Sequence, residues 1–357
     1  MELHIKETKN CWDFLRETEL PVFMYGMGLG AEKILGVFEE KGIVCAGFFA
    51  SEGFVRGHYF KDHLVHTLKE IEEKIDEFVV VLAFAAGYES LYSTIMDIAS
   101  RHILIAPDVP VAGEGLFTYE YYLENKEKFE RVYNRLADDK SRHCYENMIN
   151  FKISGKPEYL DICTSPREEV YSEIVKLKEG EVFVDLGAYK GDTVAEFVEA
   201  CSKAGVSYRS IYAFEPNVKN YNKLLKNTEV LENIKCFNGG AWDATGKISF
   251  TSNEGRMARA SDKGDLEVAS YAVDDVVEEQ ATIIKLDVEG AESRAIEGAK
   301  RQIAGGASVM CALYHRNEDM FDLPLKLLEL DPELELYVRH ELYIPAWETN
   351  LYAVKGR

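Results

Sequence analysis

The chain has 357 residues, a length that suits two domains, and its 46% hydrophobic and 29% charged residues are ordinary for a globular protein. Its 62 acidic and 41 basic side chains give a formal charge of −21, which repels phosphate backbones and anionic lipid. We therefore expect a small-molecule or glycan substrate, no nucleic acid and no membrane among the partners; a homo-oligomer is compatible with the sequence.

The seven cysteines are scattered and include no C-x-x-C pair, which argues against a zinc site or a disulfide framework. No apolar run approaches the length of a membrane span, and the first residues lack the apolar core of a signal peptide. These features predict a protein of the reducing cytoplasm without a structural metal.

The first predicted β-α-β unit begins with an apolar strand at residues 21–25 that runs into Gly26, Gly28 and Gly30. A helical stripe and a second apolar run at 43–49 follow. Two interpretations have equal weight: a nucleotide- or NAD-like ligand with its phosphate on the glycine turn, or a turn that only lets strand and helix pack closely. Ser51 and Glu52 supply an acid near the second strand end, but the third glycine comes one position early for a dinucleotide fingerprint.

Further apolar strands at 78–84 and 102–105 complete a predicted Rossmann-like α/β domain over residues 1–112. Residues 113–176 differ, because aromatic and aliphatic residues at helical spacing flank a charged stretch at 137–143. We predict a helical connector whose charged stretch is a solvated face. The alternative is that three of its side chains contact substrate in a cleft of the next domain; they are Arg142, His143 and Tyr159.

The stretch at residues 182–193 predicts a buried strand, a glycine turn and the start of a helix, so a ligand would meet the helix N-terminus. A second apolar strand at 210–214 ends in Glu215, where an acid can accept both hydroxyls of a ribose. A polar loop is predicted at 251–265. Later strands are predicted at 234–238, 247–250, 281–286, 308–313, 334–339 and 350–354.

Acidic residues and a histidine follow the predicted strand ends. Because the carboxyl ends of parallel strands meet at one crevice, distant side chains are expected to share one ligand. The four that we expect at this crevice are Asp185, Glu215, Asp287 and His315.

Five segments in this order resemble the FkbM family of S-adenosylmethionine-dependent methyltransferases. They are VFVDLGAYKGDT (182–193), IYAFEPN (211–217), FNGGAWD (237–243), IIKLDVEGAE (283–292) and LYHR (313–316). The resemblance covers roughly residues 140 to 357 and implies a class I methyltransferase domain over residues 177–357, with seven strands of which the last is antiparallel. It also implies methyl transfer to a hydroxyl of a glycan, a nucleotide-linked sugar or a secondary metabolite. Tyr189 stands where many methyltransferases have a second glycine.

The resemblance also implies the site. Asp185 and the following turn would hold the methionine end of S-adenosyl-L-methionine, Glu215 the ribose, and Trp242 with its neighbours the adenine. The full set of donor-binding residues is Asp185, Gly187, Ala188, Tyr189, Gly191, Thr193, Glu215, Pro216, Asn217, Gly240, Ala241, Trp242 and Asp287.

Asp287 and Glu289 are expected to orient the acceptor or steady the sulfonium, and His315 to act as a general base. Structural roles stand against these assignments: Asp185 as a helix cap, Glu215 paired with a lysine, Trp242 in the core, and Glu292 on a helix dipole. A metal between the carboxylates is the minority interpretation. Two other functions remain open: a dinucleotide-dependent redox enzyme or nucleotide-sugar binder centred on Gly26, and a scaffold whose methyltransferase fold is inactive.

Overall fold

A computed structural model describes residues 2–55, 57–250 and 266–356. The loop predicted at 251–265 lies outside these ranges. Within them, none of the helices combines the length and the apolar character needed to cross a bilayer.

The N-terminal part forms a six-stranded sheet with the order β3-β4-β2-β1-β5-β6, parallel except for the β3–β4 hairpin. Its strands are β1 (Val22–Tyr25), β2 (Gly47–Phe49), β3 (Tyr59–Phe60), β4 (His63–His66), β5 (Val79–Leu82) and β6 (Ile103–Ile105). Strands β1 and β5 are buried along their whole length, as their uninterrupted apolar sequences predict. The Rossmann-like prediction is confirmed, although β2 begins only at Gly47 because Val44 is 79% exposed.

One helix precedes the first strand and four lie between strands; the glycine turn after β1 leads into the second helix. The helices are α1 (Cys11–Glu17), α2 (Leu29–Lys41), α3 (Glu52–Val55), α4 (Leu68–Glu72) and α5 (Glu89–Arg101).

The C-terminal part forms a seven-stranded sheet with the order β15-β16-β14-β13-β7-β8-β9, in which only β16 runs antiparallel to its neighbours. The strands are β7 (Glu181–Leu186), β8 (Tyr208–Phe214), β9 (Ile234–Phe237), β13 (Ile283–Leu286), β14 (Ser308–Ala312), β15 (Leu334–His340) and β16 (Thr349–Lys355). This is the class I methyltransferase arrangement that the resemblance implied.

A small three-stranded sheet lies beside it and contains the predicted extra strand. Its members are β10 (Gly240–Ala241), β11 (Gly246–Phe250) and β12 (Leu266–Tyr271). The helices of this part are α10 (Asp192–Ala204), α11 (Val218–Asn227), α12 (Val273–Val276), α13 (Glu292–Gly298), α14 (Lys300–Ala304) and α15 (Asp319–Leu330).

The segment between the sheets is helical, as predicted, but its longest helix lies in the interior. It contains α6 (Tyr119–Glu124), α7 (Lys126–Tyr133), α8 (Asp139–Ser154), α9 (Glu158–Asp161) and a π-helix (Val170–Ile174). Within α8, Lys152 is buried and pairs with the buried Asp108 at the end of the first sheet. At its other end, Ser141 accepts a hydrogen bond from Val338 of β15. Helix α8 therefore bridges the two sheets.

One hydrophobic cluster continues from one face of the first sheet through α8 to the second sheet; Tyr25, Tyr145 and Leu186 all belong to it. The opposite face of the first sheet has a separate cluster with α1 and α2, and the face of the second sheet that carries α10 has a third. The division at residues 112 and 176 remains our proposal, with α8 as the element through which the two parts share a core.

Candidate active site

The turn after β7 brings the ends of three strands into contact. Gly187 has a φ of +87°, and a Cβ there would lie 1.9 Å from the carbonyl oxygen of Asp287, so only glycine fits. Its N–H and that of Ala188 donate to the carbonyl of Phe214 at 3.1 and 2.9 Å. Gly191, with a φ of +86°, precedes α10 and directs the chain into the helix.

Tyr189 occupies the position at which the sequence departs from the common glycine pattern. Its φ of +47° is left-handed, a conformation that glycine adopts without steric cost. The N–H of Tyr189 donates to Oε2 of Glu215 at 3.0 Å, and the ammonium of Lys190 lies 4.7 Å from the centre of its ring. The hydrogen bond holds this conformation.

Asp185 is fully buried in β7, opposite Lys285 of β13. The Lys285 Nζ lies 3.3 Å from Oδ1 of Asp185 and 3.6 Å from Oδ2 of Asp287, and it donates to the Gly187 carbonyl at 3.1 Å. Burial raises the pKa of Asp185 although Lys285 opposes the shift. Burial disfavours the charge of Lys285, but the two carboxylates outweigh it and raise the pKa of the ammonium. Asp185 is thus half of an ion pair and not a helix cap.

Glu215 lies where an acid was predicted, at the tip of β8. Its two oxygens accept from the backbone N–H groups of Tyr189 and Asn217 at 3.0 and 2.8 Å. Burial raises the pKa of Glu215 to about 7, although these hydrogen bonds favour the charged form. The side chain of Asn217 caps α11, and Pro216 lies between Glu215 and Asn217 in the sequence.

The loop after β9 lies against Glu215, since the N–H of Gly239 donates to the Glu215 carbonyl at 3.2 Å. Gly240 and Ala241 are buried in β10. Trp242 is partly buried, with the guanidinium of Arg294 5.8 Å from its ring centre. The predicted adenine-binding residues are therefore next to the predicted ribose-binding acid.

His315 is buried among the carboxylates that follow β13. Its Nδ1 lies 2.8 Å from Oε1 of Glu292, and its Nε2 lies 3.4 Å from Asp287 and 3.8 Å from Glu289. Burial would lower the pKa of His315, but these acids outweigh it and raise the pKa to about 10. Burial would raise the pKa of Asp287, but the positive charges of Lys285 and His315 outweigh it and hold that pKa below its ordinary value.

Glu292 is the first residue of α13, where the helix dipole favours a negative charge. Its Oε1 also accepts a hydrogen bond from the Val288 N–H at 2.9 Å. Together with His315 and Asp319, it forms a buried group whose ligand atoms lie within 4.8 Å of one another and could hold a metal ion. Asp319 also accepts from the Arg316 N–H at 2.8 Å.

A cavity of about 160 Å³ lies beside Asp287 and Thr193. Sequence analysis missed several of its residues, including Arg167, Lys285 and Glu348. Lys285 was counted only as part of a buried strand, and the other two come from loops whose placement the sequence does not reveal. A lysine in an otherwise apolar strand was the available indication of a buried carboxylate partner.

The charged stretch at 137–143 overlaps the start of α8, and the three side chains considered for substrate binding have partners within the chain. Arg142 pairs with Asp139 at 2.7 Å, the Nδ1 atom of His143 lies 3.2 Å from the side-chain nitrogen of Asn147, and the Tyr159 hydroxyl donates to Glu7 at 2.6 Å. These contacts favour the structural interpretation of the three side chains over substrate binding.

The N-terminal glycine turn has an open helix end. Gly28 precedes α2 without a side-chain cap, and a Cβ at Gly28 would meet nothing within 4 Å. Tyr25 and Ser51 share a hydrogen bond of 2.7 Å beside it, while Glu52 is exposed in α3. The acid predicted near this turn therefore points to solvent and not to a buried site.

Residues 185–344 match the family model described as the methyltransferase FkbM domain. The structure is similar to that of methyltransferase FkbM from Methylobacillus flagellatus KT, with 20% identity, a TM-score of 0.70, and coverage of 96% of this chain and 92% of that one. This likeness extends over both sheets.

Smaller similarities cover about half of the chain. An rRNA methylase from Streptococcus thermophilus has 17% identity and a TM-score of 0.35, over 53% of this chain and 94% of its own. Fibrillarin from Aeropyrum pernix, in complex with S-adenosyl-L-methionine, has 17% identity and a TM-score of 0.32, over 52% and 73%. None of the curated proteins compared with the chain matches it.

Proposed function

Because residues 185–344 match the family model of the methyltransferase FkbM domain, we propose that the protein methylates a hydroxyl group and uses S-adenosyl-L-methionine as the donor. The observation that carries this proposal is the meeting of Asp185, Glu215 and Asp287 around the Gly187 turn. When bound, the donor supplies a methyl group on a cationic sulfur: the acceptor oxygen forms the C–O bond as the S–C bond breaks, and that electron pair stays on sulfur.

The residues fit such a donor. Both carboxylate oxygens of Asp185 are buried and, among the described residues, lack a hydrogen-bond partner; Lys285 compensates their charge only as an ion-pair partner. A buried acceptor of this kind is costly unless a donor group reaches it, directly or through water. We assign the methionine end to Asp185 and the turn at 187–191, the ribose to Glu215, and the adenine to the loop that carries Trp242.

The acceptor hydroxyl must lose its proton, and the surroundings of His315 argue against a base role for it at neutral pH. The raised pKa of His315 keeps its imidazole mostly protonated at neutral pH, so it cannot readily accept a further proton. We therefore assign proton acceptance and orientation of the hydroxyl to Asp287 or Glu289, both partly exposed, and give His315 the task of holding these carboxylates.

The pH profile of kcat/KM separates the two roles. If His315 only positions the carboxylates, wild-type kcat/KM reaches its plateau well below pH 10, and His315→Gln lowers the plateau without moving it. A rise that continues to about pH 10 in the wild type and disappears in His315→Gln would restore the general base role.

The donor proposal is tested by calorimetry of the full chain with S-adenosylhomocysteine, followed by a labelled-methyl assay with hydroxylated acceptors. Absence of S-adenosylhomocysteine binding would reject the proposal. Binding without transfer to any acceptor would favour the scaffold alternative. Thermal melts with NAD(H) and nucleotide sugars test a ligand at the Gly26 turn, because a ligand that binds the folded state raises its apparent stability.

A further inference from the structure

The cavity beside Asp287 is large enough for one ring. Its volume is about 160 Å³, and a cavity of about 150 Å³ in another protein holds a benzene molecule. Its walls come from the start of α10, the ends of β13 and β16, and the segment that leads into the π-helix. Of the predicted donor-binding residues, Thr193 and Asp287 line it, whereas the ribose-binding candidate Glu215 and Trp242 do not.

The lining carries more negative than positive charge. Five carboxylates and two cations leave an excess of three negative charges when all are ionised. The carboxylates are Asp192, Glu196, Asp287, Glu341 and Glu348, and the cations are Arg167 and Lys285.

Both cations are already engaged. Arg167 lies 3.1 Å from Glu196, 2.7 Å from Glu341 and 3.6 Å from Glu348. Lys285 is shared between Asp185 and Asp287. An anionic ligand would have to displace one of these carboxylates, whereas a cationic ligand would join them.

Tyr171 gives an independent indication of a polar ligand. It lines the cavity and is only 7% exposed, yet its buried hydroxyl has no hydrogen-bond partner among the described residues. An unsatisfied buried hydroxyl is costly, and a ligand hydroxyl or amine at hydrogen-bond distance would recover that cost. The cavity thus offers a phenol and several carboxylate oxygens to one occupant.

Three of the carboxyl groups that line the cavity have raised pKa values. Burial raises the pKa of Glu348 to about 7, and Asp287 and Glu341 act in the same direction. Burial also raises the pKa of Glu196 and Glu341, against the opposing charge of Arg167. A bound cation would favour the ionised forms of all three.

We propose that this cavity is the acceptor subsite and that it selects a hydroxylated ring bearing a protonated amine, and rejects rings bearing phosphate or carboxylate. The ammonium lies beside Glu196, Glu341 and Glu348, which outnumber the single positive charge of Arg167 between them, and a ring hydroxyl faces Asp287. This assignment rests on the proposed methyltransferase function and narrows its acceptor. It also removes phosphate-linked sugars from the expected acceptors.

The test is calorimetry on the full chain saturated with S-adenosylhomocysteine, with glucosamine, glucose and glucose 6-phosphate as probes. A charge-assisted hydrogen bond predicts that glucosamine binds about 10- to 100-fold more tightly than glucose, and glucose 6-phosphate more weakly than either. Equal affinity for glucosamine and glucose, or tightest binding of the phosphate, would overturn the proposal. The same order is expected for kcat/KM of methyl transfer.

Glu196→Gln should reduce the preference for glucosamine, and Glu348→Gln serves as a second variant if the first does not fold. Glu199→Gln is the matched control, because Glu199 lies on the same helix, is 66% exposed and pairs with Lys203. The control should keep the preference.

Affinity for S-adenosylhomocysteine distinguishes the possible sources of the cation. If Glu196→Gln and Glu348→Gln weaken S-adenosylhomocysteine itself, the cavity serves the donor's own ammonium and the acceptor assignment is wrong. A wild-type protein that binds S-adenosylhomocysteine but shows no preference for the amine rejects this inference alone. No binding of S-adenosylhomocysteine would reject the methyltransferase proposal together with it.

Discussion

The carboxyl ends of the two sheets follow the same backbone path. Tyr25 and Leu186 are equivalent, because each is the last residue of its strand and pairs with the last residues of the strands on either side. The first glycine after each donates its N–H to the end of the neighbouring strand, Gly26 at 3.0 Å and Gly187 at 3.1 Å. The strand register therefore matches the two edges residue by residue.

The matching shows where the edges differ. Each charged residue around the Gly187 turn has an apolar residue at the same position around the Gly26 turn. The pairs are Asp185 with Met24, Glu215 with Ala50, Lys285 with Val81, and Asp287 with Ala83. A glycine turn at a topological switch point provides room for a ligand, and the side chains at neighbouring strand ends determine its chemistry.

The largest effect on stability and donor affinity is expected from a glycine substitution, and it should differ between the two turns. Gly187→Ala forces a Cβ to 1.9 Å from the Asp287 carbonyl, so we expect it to lower the free energy of unfolding by about 4 kcal/mol or more and to abolish S-adenosylhomocysteine binding. Gly30→Ala, whose Cβ would lie 2.3 Å from the Ala83 carbonyl, should also destabilise the protein but leave this affinity unchanged in the folded fraction.

Thermal melts and calorimetry on the two variants measure these effects. If Gly187→Ala binds S-adenosylhomocysteine like the wild type, the contact between the strand ends is not needed for the site. If Gly30→Ala loses binding while folded, the two edges are coupled.

The second prediction concerns the acid at the tip of the second strand. Glu215→Ala should weaken S-adenosylhomocysteine binding by about 1.5–3 kcal/mol, since it removes charge-assisted hydrogen bonds to the ribose. Ser51→Ala, at the corresponding edge of the first sheet, is the control and should bind normally. Calorimetry on both variants decides, and equal affinities would remove Glu215 from the site.

The sequence predicts the difference between the Gly26 and Gly187 turns only in part, because the strand register is not visible in it. The apolar runs and glycines locate both turns, and the acids after the C-terminal strands locate the site. Ser51 and Glu52 made the N-terminal turn equally plausible, because only the pairing of strands shows that Ala50 is the residue equivalent to Glu215. Strand ends in a single sequence are uncertain by more than one residue.

The buried charges were harder to predict for a different reason. A charge in the interior depends on partners distant in sequence, as Lys152 depends on Asp108 and Arg167 depends on Glu348. The connector at residues 113–176 was correctly predicted to be helical, but the burial of α8 comes from packing on both sheets, which the periodicity of a single helix does not reveal.

The third prediction concerns the pH dependence of stability, because His315 at the charged edge has a different pKa in the folded and unfolded states. The pKa of His315 is raised to about 10 from an unfolded value near 6.5. The stabilisation that this protonated group contributes is complete below about pH 6.5 and is lost as pH rises toward 10. The free energy of unfolding of the wild type should therefore fall across this window relative to that of His315→Gln.

His340 supplies an internal contrast, because burial lowers its pKa to about 4. Its contribution should be present above pH 6.5 and lost as pH falls toward 4. Urea titrations of the wild type and the two His→Gln variants between pH 4 and 10 measure both slopes. The same slope in the wild type and in His315→Gln above pH 6.5 would mean that His315 is neutral there.

The smallest effect is expected at Tyr189, the non-glycine residue of the C-terminal turn. Tyr189→Gly relieves a left-handed conformation that costs about 1–2 kcal/mol, but the added freedom of glycine in the unfolded chain opposes this by about 0.5–1 kcal/mol. The hydrogen bond from its N–H to Glu215 is backbone and is kept. Lys61→Gly is the matched control, since Lys61 has a φ of +48° on the exposed β3–β4 hairpin.

Both variants should therefore change the free energy of unfolding by about 1.5 kcal/mol or less. Affinity for the donor then shows whether the two edges differ at this position. If the ring of Tyr189 contacts the donor, Tyr189→Gly weakens S-adenosylhomocysteine binding while its stability follows that of Lys61→Gly. If affinity is unchanged, Tyr189 contributes only its backbone, and the C-terminal edge differs from the N-terminal edge solely through the charged residues at its strand ends.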